Sequence, residues 1–208
     1  MVKGRFISLE GIEGSGKSTQ LNYVVDYLQN NKIEVVSTRE PGGTLVGERI
    51  RDLLLDNTLP GMHMDTELLL MFAARVEHVK TVIEPALDSG KWVICDRFYD
   101  ATYAYQGYGR QIDLQRIDEL KRFSIGELVP DVTLLLDVTL DVSMDRVSKR
   151  GSKDRFENEK IAFYKKVREG YLAIANENPG RVICIDATRS IKEVQTSIQL
   201  KLDELLNE

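Results

Sequence analysis

Five short runs in the chain are almost wholly apolar: residues 5–10, 34–38, 92–95, 132–137 and 182–186. They do not alternate apolar with polar, which suits strands of a parallel sheet covered on both faces. Between them, apolar residues recur every three or four positions. That spacing predicts helices over about 18–29, 43–55, 65–87, 113–127, 140–149, 158–177 and 190–206. Strands alternating with helices predict an α/β fold, a doubly wound five-stranded parallel sheet with helices on both faces. No composition break or repeat divides the chain, so residues 1–208 are expected to form one domain. Ligands of such sheets bind at the carboxyl ends of the strands, so the residues just after each strand carry the functional information.

After the first strand comes Gly11-Ile12-Glu13-Gly14-Ser15-Gly16-Lys17-Ser18, followed by Thr19 and a helical pattern. Strand, glycine loop and helix are the context of a P-loop. The glycines let successive N–H groups turn inward onto phosphate oxygens, and the helix N-terminus adds partial positive charge. Lys17 is placed to reach the β- and γ-phosphates, and the Ser18 hydroxyl to ligate Mg²⁺. The pattern predicts a nucleoside triphosphate site, formed by residues 11–19, on a P-loop NTPase fold. After the third strand comes Asp96-Arg97-Phe98-Tyr99. An apolar strand ending in Asp has the form whose carboxylate orients Mg²⁺, often through water. Arg97 leaves the sheet at the same edge, where it can fork onto a phosphate.

Composition narrows the class. The 208 residues are 42% hydrophobic and 29% charged, as in an ordinary globular chain. A formal net charge of −5 predicts no general attraction to nucleic acid or anionic membrane. No apolar run reaches the length of a membrane span, and the first strand begins at once, leaving no room for a signal peptide. The expected location is the cytoplasm. Cys95 and Cys184 both fall in apolar strands and read as small core residues.

Three further stretches invite two readings each. Arg39-Glu40-Pro41-Gly42-Gly43-Thr44 is either a connector or part of the ligand edge. Arg75 interrupts an apolar stripe of Leu68, Phe72, Val76 and Val79, so its guanidinium must meet either an acidic side chain or a polar ligand. Phe72, one turn earlier, could then stack on a flat base. Five cations crowd 146–155, including Arg146, Arg150 and Arg155. They form either a solvated helix end or a lid, at about 146–157, whose arginines close on a transferring phosphate. Pro85 is expected to end or kink the long helix. The aromatic run 98–108 is weakly helical.

Taken in order, Arg-Glu-Pro-Gly-Gly-Thr at 39–44, Phe-Ala-Ala-Arg at 72–75, Asp-Arg-Phe at 96–98, Ala-Tyr-Gln-Gly at 104–107 and Arg-Gly-Ser-Lys-Asp-Arg-Phe-Glu at 150–157 join the P-loop in a set that resembles bacterial thymidylate kinases along the whole chain. The resemblance implies phosphoryl transfer from MgATP to dTMP, giving dTDP and ADP for dTTP synthesis, and a homodimer. It implies that Phe72 stacks on thymine and Arg75 bonds its edge. Thr102 would face the base, and Tyr105 and Gln106 would line the deoxyribose side. Arg39 would join this set, Arg97 would hold the acceptor phosphate, and Glu13 would lie near the sugar hydroxyl. One branch of the family has an arginine where this chain has Gly14. The other, which this chain resembles, carries the catalytic arginine in the lid, here Arg150 supported by Arg155. Ala101 and Phe98 depart from the serine and the tyrosine or histidine frequent in relatives.

Two rival readings stand beside it. Another P-loop monophosphate kinase is the nearest alternative within the same chemistry. A GTPase-type switch would need Asp-x-x-Gly, which the sequence lacks, and Asn-Lys-x-Asp, approached only by Asn31-Lys32-Ile33-Glu34.

Overall fold

The computed structural model describes residues 4–59, 61–149, 154–157 and 159–207. Five parallel strands form one sheet: β1 (Phe6–Glu10), β2 (Val35–Arg39), β3 (Trp92–Asp96), β4 (Val132–Asp137) and β5 (Val182–Asp186), in the spatial order β2-β3-β1-β4-β5. Helices α1 (Lys17–Asn30), α2 (Leu45–Leu55), α3 (Met64–His78), α4 (Glu84–Asp88), α5 (Tyr99–Thr102), α6 (Leu114–Ile125), α7 (Leu140–Ser148), α8 (Ile161–Glu177) and α9 (Ile191–Asn207) connect them.

Successive residues of a strand face opposite sides, and both sides of the central strands are buried. Trp92 and Ile94 of β3 pack in one cluster with Val24 and Leu28 of α1, whereas Val93 and Cys95 pack in another with Val79 and Ile83. The doubly wound expectation is met. The edge strands are less covered than the central ones: β2 is only partly buried, and Cys184 on edge strand β5 is exposed, not the core residue expected.

The long helix expected over 65–87 also needs correction. It runs as α3, then a π-helical turn over Val79–Ile83, then α4 with Pro85 in its first turn. Proline can open a helical segment because its missing N–H is one the first turn leaves unpaired anyway. The wider π turn just before it takes up the mismatch, so the chain stays helical through the proline. A second π segment, Tyr103–Gly109, extends α5 along the aromatic run. It lies tight on α8: a Cβ on Gly109 would fall 2.6 Å from the Phe163 ring, and one on Gly170 would fall 2.7 Å from Tyr108.

Candidate active site

β1 is the central strand: the chain leaves it for β2 on one side and later crosses from β3 past it to β4 on the other, so the loop after β1 opens onto the crevice where the strand order reverses. In that loop Gly11, Gly14 and Gly16 all have positive φ, at 138°, 73° and 95°. Gly16 is the N-cap of α1. No side chain caps that end, and no acid sits in its first turn. The N–H groups of Lys17, Ser18 and Thr19 therefore open the helix as unshielded donors, an anion seat made by backbone alone. Ile12 gives the loop only its backbone, since its side chain is in the core. Lys17 Nζ donates to the Gly11 carbonyl at 2.9 Å and the Ile12 carbonyl at 3.2 Å. Burial, then the nearby Arg97, pulls its ammonium down to about 8.

Arg97 shares the Gly11 carbonyl, donating from Nη1 at 3.0 Å, and pairs with Glu13 Oε1 at 2.9 Å. Its backbone has φ 68°, a left-handed conformation that non-glycine residues rarely adopt. Two bonds hold it there: Arg97 N–H to the Leu9 carbonyl, and Phe98 N–H to Glu10 Oε1 at 2.6 Å. The other Glu10 oxygen accepts from Tyr171, whose hydroxyl takes Arg97 Nη1 at 3.0 Å. Burial, reinforced by Asp100, pushes the Glu10 carboxyl up to about 8. Glu13 also accepts from the Tyr105 hydroxyl at 2.6 Å, and the Arg97 guanidinium lies over the Tyr105 ring.

Asp96 and Ser18 border the same cleft. Asp96 Oδ1 is buried with no partner among the described residues, and Ser18 is exposed on the same cleft. A free carboxylate oxygen and a hydroxyl are the hard oxygen donors Mg²⁺ takes, so these residues fit the ion.

At the far end of the cleft Arg75 meets the acidic partner that one of its two readings called for. Arg75 Nε donates to Glu40 Oε2 at 2.6 Å and Nη2 to the Phe98 carbonyl at 3.3 Å, while Nη1 is buried without a partner among the described residues. Thr102 and Gln106 line the cleft beside it. Glu40 is fixed in turn by His78 Nδ1 at 3.0 Å.

Several expectations are met differently. Arg39 does not line the main cleft: it pairs with Glu48 at 2.8 Å in an adjoining pocket that shares Ser18 and Asp96 with it. Along extended chain its neighbour Glu40 turns the other way, and it is Glu40 that enters. Phe72 lies one layer behind, packed with Leu68, Ile112 and Ile117, and its ring carries the Arg75 guanidinium at 5.0 Å; Met71, Phe98 and Ala101 line the cleft instead. Arg155 does not point at the P-loop. It binds the Leu54 carbonyl at 2.7 Å and Glu67 Oε2 at 2.7 Å. Its neighbours Asp154, Phe156 and Glu157 are the ones at the cleft. Arg146 bridges the carbonyls of Gly14 and Ala187 at 3.1 Å each, tying α7 to the P-loop. Arg150 lies outside the described residues. Arg51, on the cleft wall and bonded to the Pro41 carbonyl, carries no mark in the sequence that separates it from other helix arginines.

The comparisons agree with this geometry. The thymidylate kinase family model matches residues 9–198. The chain is 53% identical to a thymidylate kinase of Pseudomonas fluorescens over 98% of this chain and 97% of that protein. It is 49% identical to one of Ruthia magnifica over 99% and 100% of the two chains. A crystal structure of thymidylate kinase from Ehrlichia chaffeensis superposes with a TM-score of 0.79 at 38% identity, covering 96% of this chain and 99% of that one. The P-loop fold, the two-ended cleft and full-length similarity at this level converge: the chain belongs to the thymidylate kinase family.

Proposed function

We propose that the two ends of the cleft take two nucleotides, ATP on the P-loop and dTMP between Arg97 and Arg75. The γ-phosphoryl of ATP passes in line to the 5′-phosphate of dTMP, giving dTDP and ADP for dTTP synthesis. The observation that carries this reading is the shared Gly11 carbonyl. Lys17 and Arg97 both spend donors on it, so two cations from opposite sides converge where the phosphates of two substrates would meet. The acceptor phosphate, with a second pKa near ~6, is mostly dianionic at neutral pH and needs no general base. What remains is alignment and neutralisation of charge.

Lys17 exchanges its carbonyl partners for the β- and γ-phosphates. Arg97 turns from Glu13 onto the acceptor phosphate, which frees Glu13 toward the sugar hydroxyl. Arg75 Nη1, buried and unpaired, meets the thymine edge, with Thr102 facing the base and Tyr105 and Gln106 along the sugar. Phe72 supports the base end through Arg75. Ser18 and Asp96 would hold Mg²⁺, which would supply positive charge to offset that of the phosphates. We assign the cation on the far side of the γ-phosphate to Arg150, on a lid at about 146–157 of this single 1–208 domain. Arg155 has the tethering role its contacts support. Gly14 favours a lid arginine for a local reason: a Cβ there would fall 2.6 Å from the Ser143 carbonyl oxygen.

We place the enzyme in the cytoplasm as a homodimer. No helix among the described residues is long and apolar enough to cross a membrane.

The test is a coupled assay with dTMP, dUMP, AMP, GMP and CMP as acceptors. dTMP should give the highest kcat/KM, and comparable rates with AMP, GMP or CMP would overturn the reading. Arg150→Ala should lower kcat by about a hundredfold with a smaller change in KM for dTMP.

A further inference from the structure

Glu67 is a fully buried acid on α3, two turns before Arg75, and the chemistry above does not use it. Its carboxylate holds three elements together. Oε1 accepts from Gln106 Nε2 at 2.8 Å and Arg110 Nε at 3.2 Å; Oε2 accepts from Arg110 Nη2 at 3.1 Å and Arg155 Nη1 at 2.7 Å. Arg110 continues to Glu159 Oε1 at 2.5 Å. Two guanidinium groups and two carboxylates thus form a neutral, largely buried cluster, in which removing one charge leaves an unpaired one behind.

The positions of the ends give the cluster its meaning. Gln106 lines the cleft beside Thr102. Arg155 is flanked by Asp154 and Phe156, which also line the cleft, and its guanidinium lies over the Phe156 ring at 4.5 Å. One carboxylate therefore joins a side chain at the acceptor end to the chain segment that leads out of 150–153. A nucleotide that recruits the Gln106 amide changes what Glu67 offers Arg155, and by linkage the position of Arg155 changes how the acceptor is held.

We propose that Glu67 is a positioning residue that couples acceptor binding to placement of the 154–157 segment, so that each nucleotide tightens the other. The proposal rests on dTMP being the acceptor. Its test is the affinity for a non-hydrolysable ATP analogue, by calorimetry, with and without saturating dTMP. In the wild type, dTMP should tighten the analogue about fivefold or more. In Glu67→Gln that factor should fall to near one, and Glu67→Asp should recover part of it. Arg155→Gln, in which Glu67 keeps both bonds from Arg110, should lose the factor in protein shown to be folded by circular dichroism. A wild type with no coupling, an unchanged factor in folded Glu67→Gln, or full coupling in Arg155→Gln would overturn the proposal. A wild type that phosphorylates another monophosphate instead of dTMP overturns the acceptor assignment and is recognised separately in the acceptor assay.

Discussion

The guanidinium of Arg75 divides between Glu40, the Phe98 carbonyl and an unpaired Nη1, and each part has its own consequence. Arg75→Ala would strand the buried Glu40 carboxylate, so loss of fold and loss of binding would be mixed. Arg75→Lys keeps a cation against Glu40 and removes the planar fork. It should raise KM for dTMP by ~10-fold to 100-fold, with KM for ATP within about twofold. Equal effects on both substrates would place Arg75 outside the base site. Lys17 makes a second prediction at this scale. With its ammonium pulled down to about 8, it is roughly half neutral at pH 8, and triphosphate oxygens favour the charged form. ATP binding at pH 8 should then take up about half a proton more than in Lys17→Arg, whose guanidinium stays charged. Binding heats in buffers of different ionisation enthalpy measure this, and identical uptake in the two proteins would refute the shifted ammonium. The sequence already marked Arg75 and Lys17, because a cation in an apolar stripe and a lysine after a glycine loop are visible as pattern. It did not separate Arg39 from Glu40. Both are charged and adjacent, and which one faces the ligand depends on the phase of an alternation that only the folded strand end fixes.

At the level of elements, the strands were readable as apolar runs and most helices from periodicity, and the π turns were not. A π turn has no period of its own over five or seven residues. Val79–Ile83 is set by Pro85 downstream and Tyr103–Gly109 by close packing on α8, both of which depend on the neighbours. The contact of the P-loop with α7 is another feature of this kind. Ser143 Oγ donates to the Glu13 carbonyl at 2.6 Å, and its own carbonyl faces Gly14, which sits at φ 73°. Gly14→Ala must strain the backbone and push a methyl against that oxygen. It should cost on the order of 1–3 kcal/mol and lower the melting temperature by roughly 5 °C. A melting curve within about 1 °C of the wild type would show that α7 yields freely, and would remove the steric argument for placing the catalytic cation on the lid.

Across the whole molecule, α2 lies between the cleft and open surface. Arg51 and Leu55, one turn apart, line the cleft. Val46 and Leu53, two turns apart on the opposite face, are about half exposed, as is Leu69 of the adjoining α3. Apolar side chains presented by two packed helices suit a partner of the same kind, and we propose this side as the interface of the proposed homodimer. A helix clamped by a partner on one face holds its other face more rigidly, so dimerisation should bear on the acceptor site through Arg51 and leave the P-loop alone. Leu53→Glu combined with Leu69→Glu, two charges on a surface that is solvated in the monomer, should leave the chain folded. Light scattering at micromolar concentration should then give the mass of one chain where the wild type gives two. The monomer should show KM for dTMP raised about threefold to tenfold and KM for ATP nearly unchanged. A double variant that remains dimeric would put the interface on another face. A monomer with wild-type KM for dTMP would keep the dimer and remove α2 as its link to the site.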